Sequence, residues 1–137
     1  MTARWATLTW LLAVGAGVAE SVVGAVHAVG DGISLPALAA QLAVRALVYG
    51  GLFVVIDRYF RQGVPWSRCL LAGILGTVGL ASLVHQPISW LAGNDLSALP
   101  WSLTFALTAI LRTIHLSALL AALFLTFHPA TTRWFHR

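Results

Sequence analysis

Four ionisable residues stand well inside apolar runs of the chain: Glu20, Arg45, Arg112 and His115. A charged side chain at the centre of a bilayer costs at least about 2.5–3.5 kcal/mol on insertion scales, so such groups pair with one another, face a wet cavity or serve a ligand. Arg112 lies within Trp101 to Phe127, a run long enough to span a bilayer. Helical steps from Arg112 reach Thr104, Thr108, His115, Ala122 and Thr126, which puts the polar side chains of this run on one narrow stripe. That stripe must face protein and not lipid. On the run that begins at Pro36, Gln41, Arg45 and Tyr49 recur at intervals of four and share a face.

The depths of these groups decide which can meet. With about 1.5 Å of rise per residue, Glu20 lies roughly 10 Å from the far end of its run near His27, Arg45 roughly 14 Å from Pro36 and Arg112 roughly 16 Å from Trp101. One glutamate against two arginines leaves an excess of positive charge. Three roles fit that excess: an ion-pair network internal to the bundle, a site for an anionic solute or lipid headgroup, or a core completed by an acid from a partner subunit. A buried ion pair alone is weak evidence for function. Glu20 and His115 also have the types for a proton relay.

A b-type haem needs two histidines at matching depth on facing helices. His85 lies roughly 8 Å below Trp90 and His115 roughly 21 Å below Trp101, so haem is a minor alternative and no cofactor is expected. His27 with His85 makes an equally weak outer metal pair, and no metal site is expected. Signatures of catalysis are missing: the chain has no HExxH, GxSxG or Walker loop and no paired carboxylates or Cys/His dyad. The glycines at 73, 76 and 79 imitate a nucleotide loop but sit inside an apolar span without a lysine, and read as a packing surface.

The elements that must position these groups follow from composition. Of 137 residues, 59% are hydrophobic and only 9% are charged, and mean hydropathy is +0.87. Soluble domains carry charge on roughly a quarter of their residues, so this chain is read as an integral membrane protein. Spans of about 20 residues each use up the chain in four helices with short loops. The expected spans are 5–29, 36–56, 68–86 and 101–127, in one transmembrane domain. Arg4 and the apolar run after it resemble a signal peptide, but the run continues to Val29 and reads as a span. Gly30, Asp31, Gly32 and Pro36 mark a turn, with Pro36 opening the second helix. At Pro87 a kink or the end of the third helix is expected, with Ile88 to Leu91 at the interface.

Net charge is +4, from eight arginines and no lysine against Glu20, Asp31, Asp57 and Asp95. Six of those arginines flank apolar spans, which argues for membrane topology and against nucleic acid. The loop from Asp57 to Arg68 and the tail from Arg133 to Arg137 interleave arginine with aromatic rings. Arg58, Arg61, Trp66, Arg68, Arg133 and Trp134 are therefore expected at the headgroup level. Both termini are expected in the cytoplasm, because the arginine-bearing loops fall on one side and Asp31 and Asp95 on the other. Cys69 is the only cysteine, which excludes an intramolecular disulfide. Rows of small residues, Ala13, Gly17, Ser21 and Ala25 in the first span and Gly73, Thr77 and Ala81 in the third, offer close helix approach.

The reading is an all-α, four-helix membrane bundle of the cell membrane in which no residue pattern specifies a reaction. It is expected to act as a subunit or assembly component of a membrane complex, its Glu/Arg/His core completed by a partner. The alternative is a small homo-oligomeric transporter or channel for an anionic solute, a lipid headgroup or protons.

Overall fold

The computed structural model describes residues 1–93, 97 and 101–136, so the expectations placed on Asp95 and Arg137 lie outside the described residues. Four long helices, α1 (Thr2–Gly30), α2 (Leu35–Phe60), α3 (Pro65–Gly93) and α4 (Leu103–Phe127), are each long and apolar enough to cross a membrane. A short α5 (Pro129–Phe135) follows, and no strand occurs among the described residues.

Local sequence sets the boundaries. Ser34 precedes a proline in the first turn of α2, where a missing N–H costs nothing. Gly63, with φ of +79°, turns the chain between α2 and α3 in a conformation that favours glycine. At α4 the Ser102 hydroxyl accepts from the Phe105 N–H, capping the helix. His128 Nδ1 accepts from the Ala130 N–H in the same way at the start of α5.

In the third span one of the two alternatives at Pro87, the end of the helix, is excluded, and the expected packing row is revised. Pro87 lies inside α3, which continues to Gly93. Proline removes one backbone bond, and the neighbouring turn gains another because Ser89 Oγ donates to the His85 carbonyl at 2.7 Å. The small row Gly73, Thr77 and Ala81 is exposed, and the interior stripe is Leu71, Leu75 and Leu83. The close approach occurs at Gly76, where a Cβ would stand 3.1 Å from Leu123 Cδ2. Ile74–Gly79 takes a wide π-helical turn, which rotates the face presented beyond it.

The stretch from Asp57 to Arg68 is also less of a loop than expected. Val55–Phe60 extends α2 as a second π-helical turn, and α3 starts at Pro65. Phe60 is buried and meets Phe135 edge to face at 5.1 Å, so packing against α5 holds the extension in place.

The core sits at the end of the bundle that carries the termini. Trp10, Ile56, Leu71, Leu119 and Ala122 are fully enclosed there, with Leu52 and Phe60 beside them. Trp10 Nε1 donates to Thr126 Oγ1 at 2.9 Å, and that hydroxyl donates to the Ala122 carbonyl at 2.6 Å, which satisfies these two buried side chains, whereas the enclosed Thr131 Oγ1 and Arg68 Nη1 make no hydrogen bond among the described residues. The small residues Ala13, Gly17 and Ser21 of α1 are buried, and α1 lies along α4 over much of its length. Toward the other end α2 leans chiefly on α1, and from Leu35 to Gly51 none of its residues is buried.

Candidate functional site

The helices line a half-open cavity of about 890 Å³ in the half of the bundle away from the termini, between Gly17 and His27 of α1, Val44 and Leu52 of α2, Ile74 and Leu83 of α3, and Ser102 and His115 of α4. It is ringed by helices because α2 stands off from α3 and α4 at this level. The apolar band of Trp10, Ile56, Leu71 and Leu119 lies beyond it toward the termini.

Glu20 is the hub of the cavity wall. Arg112 donates from Nε at 2.8 Å and from Nη2 at 2.6 Å, both to Glu20 Oε1. The other oxygen, Oε2, stands 3.4 Å from His115 Nδ1. Both carboxylate oxygens are thereby engaged, by side chains one helical turn apart on α4. The side chains of Glu20 and Arg112 are only 15% and 24% exposed, enough shelter for a charge-assisted bond to hold the two helices in register.

Arg45 does not reach this pair. Its Nη1 donates to Ser21 Oγ at 3.0 Å, and Ser21 Oγ in turn donates to the Gly17 carbonyl at 2.8 Å. No carboxylate among the described residues lies within ion-pair distance of Arg45. The wall thus carries one carboxylate and two guanidinium groups, and Arg45 is the cation left over.

Tyr49 closes the floor. A Cβ at Gly17 would stand 2.8 Å from Tyr49 Oη and 3.0 Å from His115 Cε1, so only glycine leaves room for both rings. The polar stripe of α4 is present: Thr104, Thr108, Arg112 and His115 line the cavity, and Ala122 and Thr126 continue it into the buried band. Gln41 is exposed on α2 and is not part of the lining. Ser21, which its spacing assigns to a packing row, serves in addition as the acceptor for Arg45. The signal for that role is its place in the sequence, directly after Glu20 and four residues from Gly17.

The residues expected at headgroup level gather at the terminal end. Arg58 is exposed, Arg61 pairs with Asp57 at 3.1 Å and Trp66 packs on Tyr59. Arg68 turns inward, with its guanidinium 5.5 Å from the Phe127 ring and 5.7 Å from the Phe135 ring, which ties α3 to α4 and α5. Arg133 is exposed with Nε 3.5 Å from the Pro129 carbonyl, and Trp134 lies against Gly63. At the opposite end His27 faces Asp31 at 3.6 Å, and His85 is exposed on α3. No group of three or more metal-ligating side chains gathers among the described residues.

Comparison with protein-family models, curated proteins and solved structures found no match. The chemistry of the cavity therefore carries the functional argument.

Proposed function

We propose that this chain is a multi-pass protein of the cell membrane with both termini in the cytoplasm, and that it is a non-catalytic binding component of a membrane complex whose cavity receives an anionic group. Four long apolar helices support the membrane setting. The orientation is supported by Arg4, Arg58, Arg61, Arg68 and Arg133 at the terminal end against Asp31 at the other.

One observation carries the binding reading: Glu20 is engaged by Arg112 and His115, which leaves Arg45 on the cavity wall with only the Ser21 hydroxyl. A guanidinium presents a fork of N–H donors suited to carboxylate or phosphate oxygens, and the exposed Arg45 side chain is accessible to an anion. The hydroxyls of Ser21, Tyr49 and Thr108 also line the cavity and supply further polar groups. The apolar band toward the termini closes that side, which favours a binding site over a continuous channel.

The test is thermal unfolding of the purified protein in mild detergent during titration with inorganic phosphate or acetate at constant ionic strength. A ligand at 100 times its Kd stabilises by about 2.7 kcal/mol, so the melting temperature of the wild type should rise and that of Arg45→Leu should not. An equal rise in both would overturn the reading.

A second reading keeps the cation and changes its partner: an acid from another membrane subunit reaches Arg45 past the exposed outer part of α2. It predicts a stoichiometric partner in gentle purification that is lost in Arg45→Leu. Self-association of the chain would instead favour a homo-oligomer lining an anion path.

A further inference from the structure

We infer that the guest of this cavity is a membrane lipid with a singly charged anionic head, admitted sideways between α2 and α3. The inference rests on the anion-binding reading above and gives it a substrate class. Its first ground is the division of the lining. Arg45 bonded to Ser21, with Tyr49 beside Gly17, supplies polar groups to the lining, whereas Val48, Ile74 and Val78 supply apolar ones from α2 and α3. A free inorganic anion would satisfy the first and leave the second empty, whereas an amphiphile satisfies both.

The second ground is size. At about 890 Å³ the cavity stands near the top of the range of about 300–1,000 Å³ typical of small-molecule pockets, far more than a small anion needs. The third is access. α2 and α3 are joined by the turn at Gly63 and meet near it, and toward the other end α2 leans chiefly on α1, with no buried residue between Leu35 and Gly51. A gap of that kind opens toward the bilayer, from which an acyl chain can enter without crossing water. The fourth is charge. With His27 and His115 neutral, one carboxylate against two guanidinium groups leaves a single positive charge on the lining, which matches one negative charge on the head.

The experiment is native mass spectrometry of the detergent-purified protein after exchange into micelles doped with phosphatidylglycerol or phosphatidylcholine, beside the phosphate titration. The wild type should retain one phosphatidylglycerol and shed phosphatidylcholine. Loss of a charge-assisted bond in Arg45→Leu should weaken retention roughly ten- to hundredfold. Val78→Trp, with Val48→Trp as a second variant from the facing wall, fills the apolar region without touching the charge. Both should shed the lipid while keeping the phosphate response.

Equal retention of the two lipids, or retention undisturbed by the tryptophans, would overturn the inference. So would a lipid-free dimer in which a second copy occupies the gap. A phosphate response that depends on Arg45 with no lipid retained would defeat the lipid and leave the anion site standing. No response to either probe would defeat both.

Discussion

Below Gly17 the space between the helices is filled by Trp10, Ile56, Leu71 and Leu119, all enclosed, and the Trp10 indole is paired with the Thr126 hydroxyl within the chain. Above Gly17 the same helices surround a cavity whose wall carries Glu20, Arg45, Arg112 and His115. The difference comes from side-chain volume and charge at equivalent helical positions. Where α1 offers Trp10 and Val14 to its neighbours, large apolar groups meet and exclude water. Where it offers Gly17, Glu20 and Ser21, the facing residues are polar or bulky, and helices cannot close over unbalanced charge without a large desolvation cost. The first half holds the bundle together, and the second is held open by it.

That division is open to attack through stability first. Trp10→Ala should be the most damaging single change, at about 3–5 kcal/mol, because it empties the middle of the filled half and strips Thr126 of its donor. Thermal unfolding in detergent measures it. A loss below that of changes on the cavity wall would show that the filled half is not the stabilising one.

Much of this arrangement is legible in the amino-acid sequence. Four apolar runs mark the helices, and the spacing of Thr104, Thr108, Arg112 and His115 marks the polar stripe, because both follow from helical periodicity. The common depth of Glu20, Arg45 and Arg112 brings three charges to one level, but depth says nothing about rotation about the helix axes. Rotation is what gives Glu20 to Arg112 and leaves Arg45 with Ser21. The outward turn of Gly73, Thr77 and Ala81 is hidden for the same reason, since a π-helical turn at Ile74–Gly79 shifts the face by an amount that no period reveals. Proline allows either a kink or an end, and the helix continues through Pro87 to Gly93.

A smaller effect sharpens the boundary between the halves. Gly17→Ala brings a methyl to 2.8 Å from Tyr49 Oη and should cost about 1–3 kcal/mol as the ring is forced aside. Gly24→Ala, where nothing lies within 4 Å of the new methyl, should be neutral or stabilising by up to about 1 kcal/mol. Equal melting temperatures for the two variants would show that the ring of Tyr49 is not seated against α1. The smallest effect is expected at the terminal surface. Arg61→Ala removes an exposed pair with Asp57 and should change the unfolding free energy by no more than about 0.5 kcal/mol.

The central claim is that Arg112 takes Glu20 and thereby leaves Arg45 for a guest. Double-mutant cycles on unfolding in detergent test it most directly, pairing Glu20→Gln with Arg112→Leu in one cycle and with Arg45→Leu in the other. Glu20→Gln alone should destabilise, since removing one partner of a buried pair costs about 3–5 kcal/mol. The cycle with Arg112 should be non-additive by roughly 0.5–3 kcal/mol, because the orphaned cation disappears with its acid, and the cycle with Arg45 should be additive within about 0.5 kcal/mol. A coupling larger for Arg45 than for Arg112 would contradict the account.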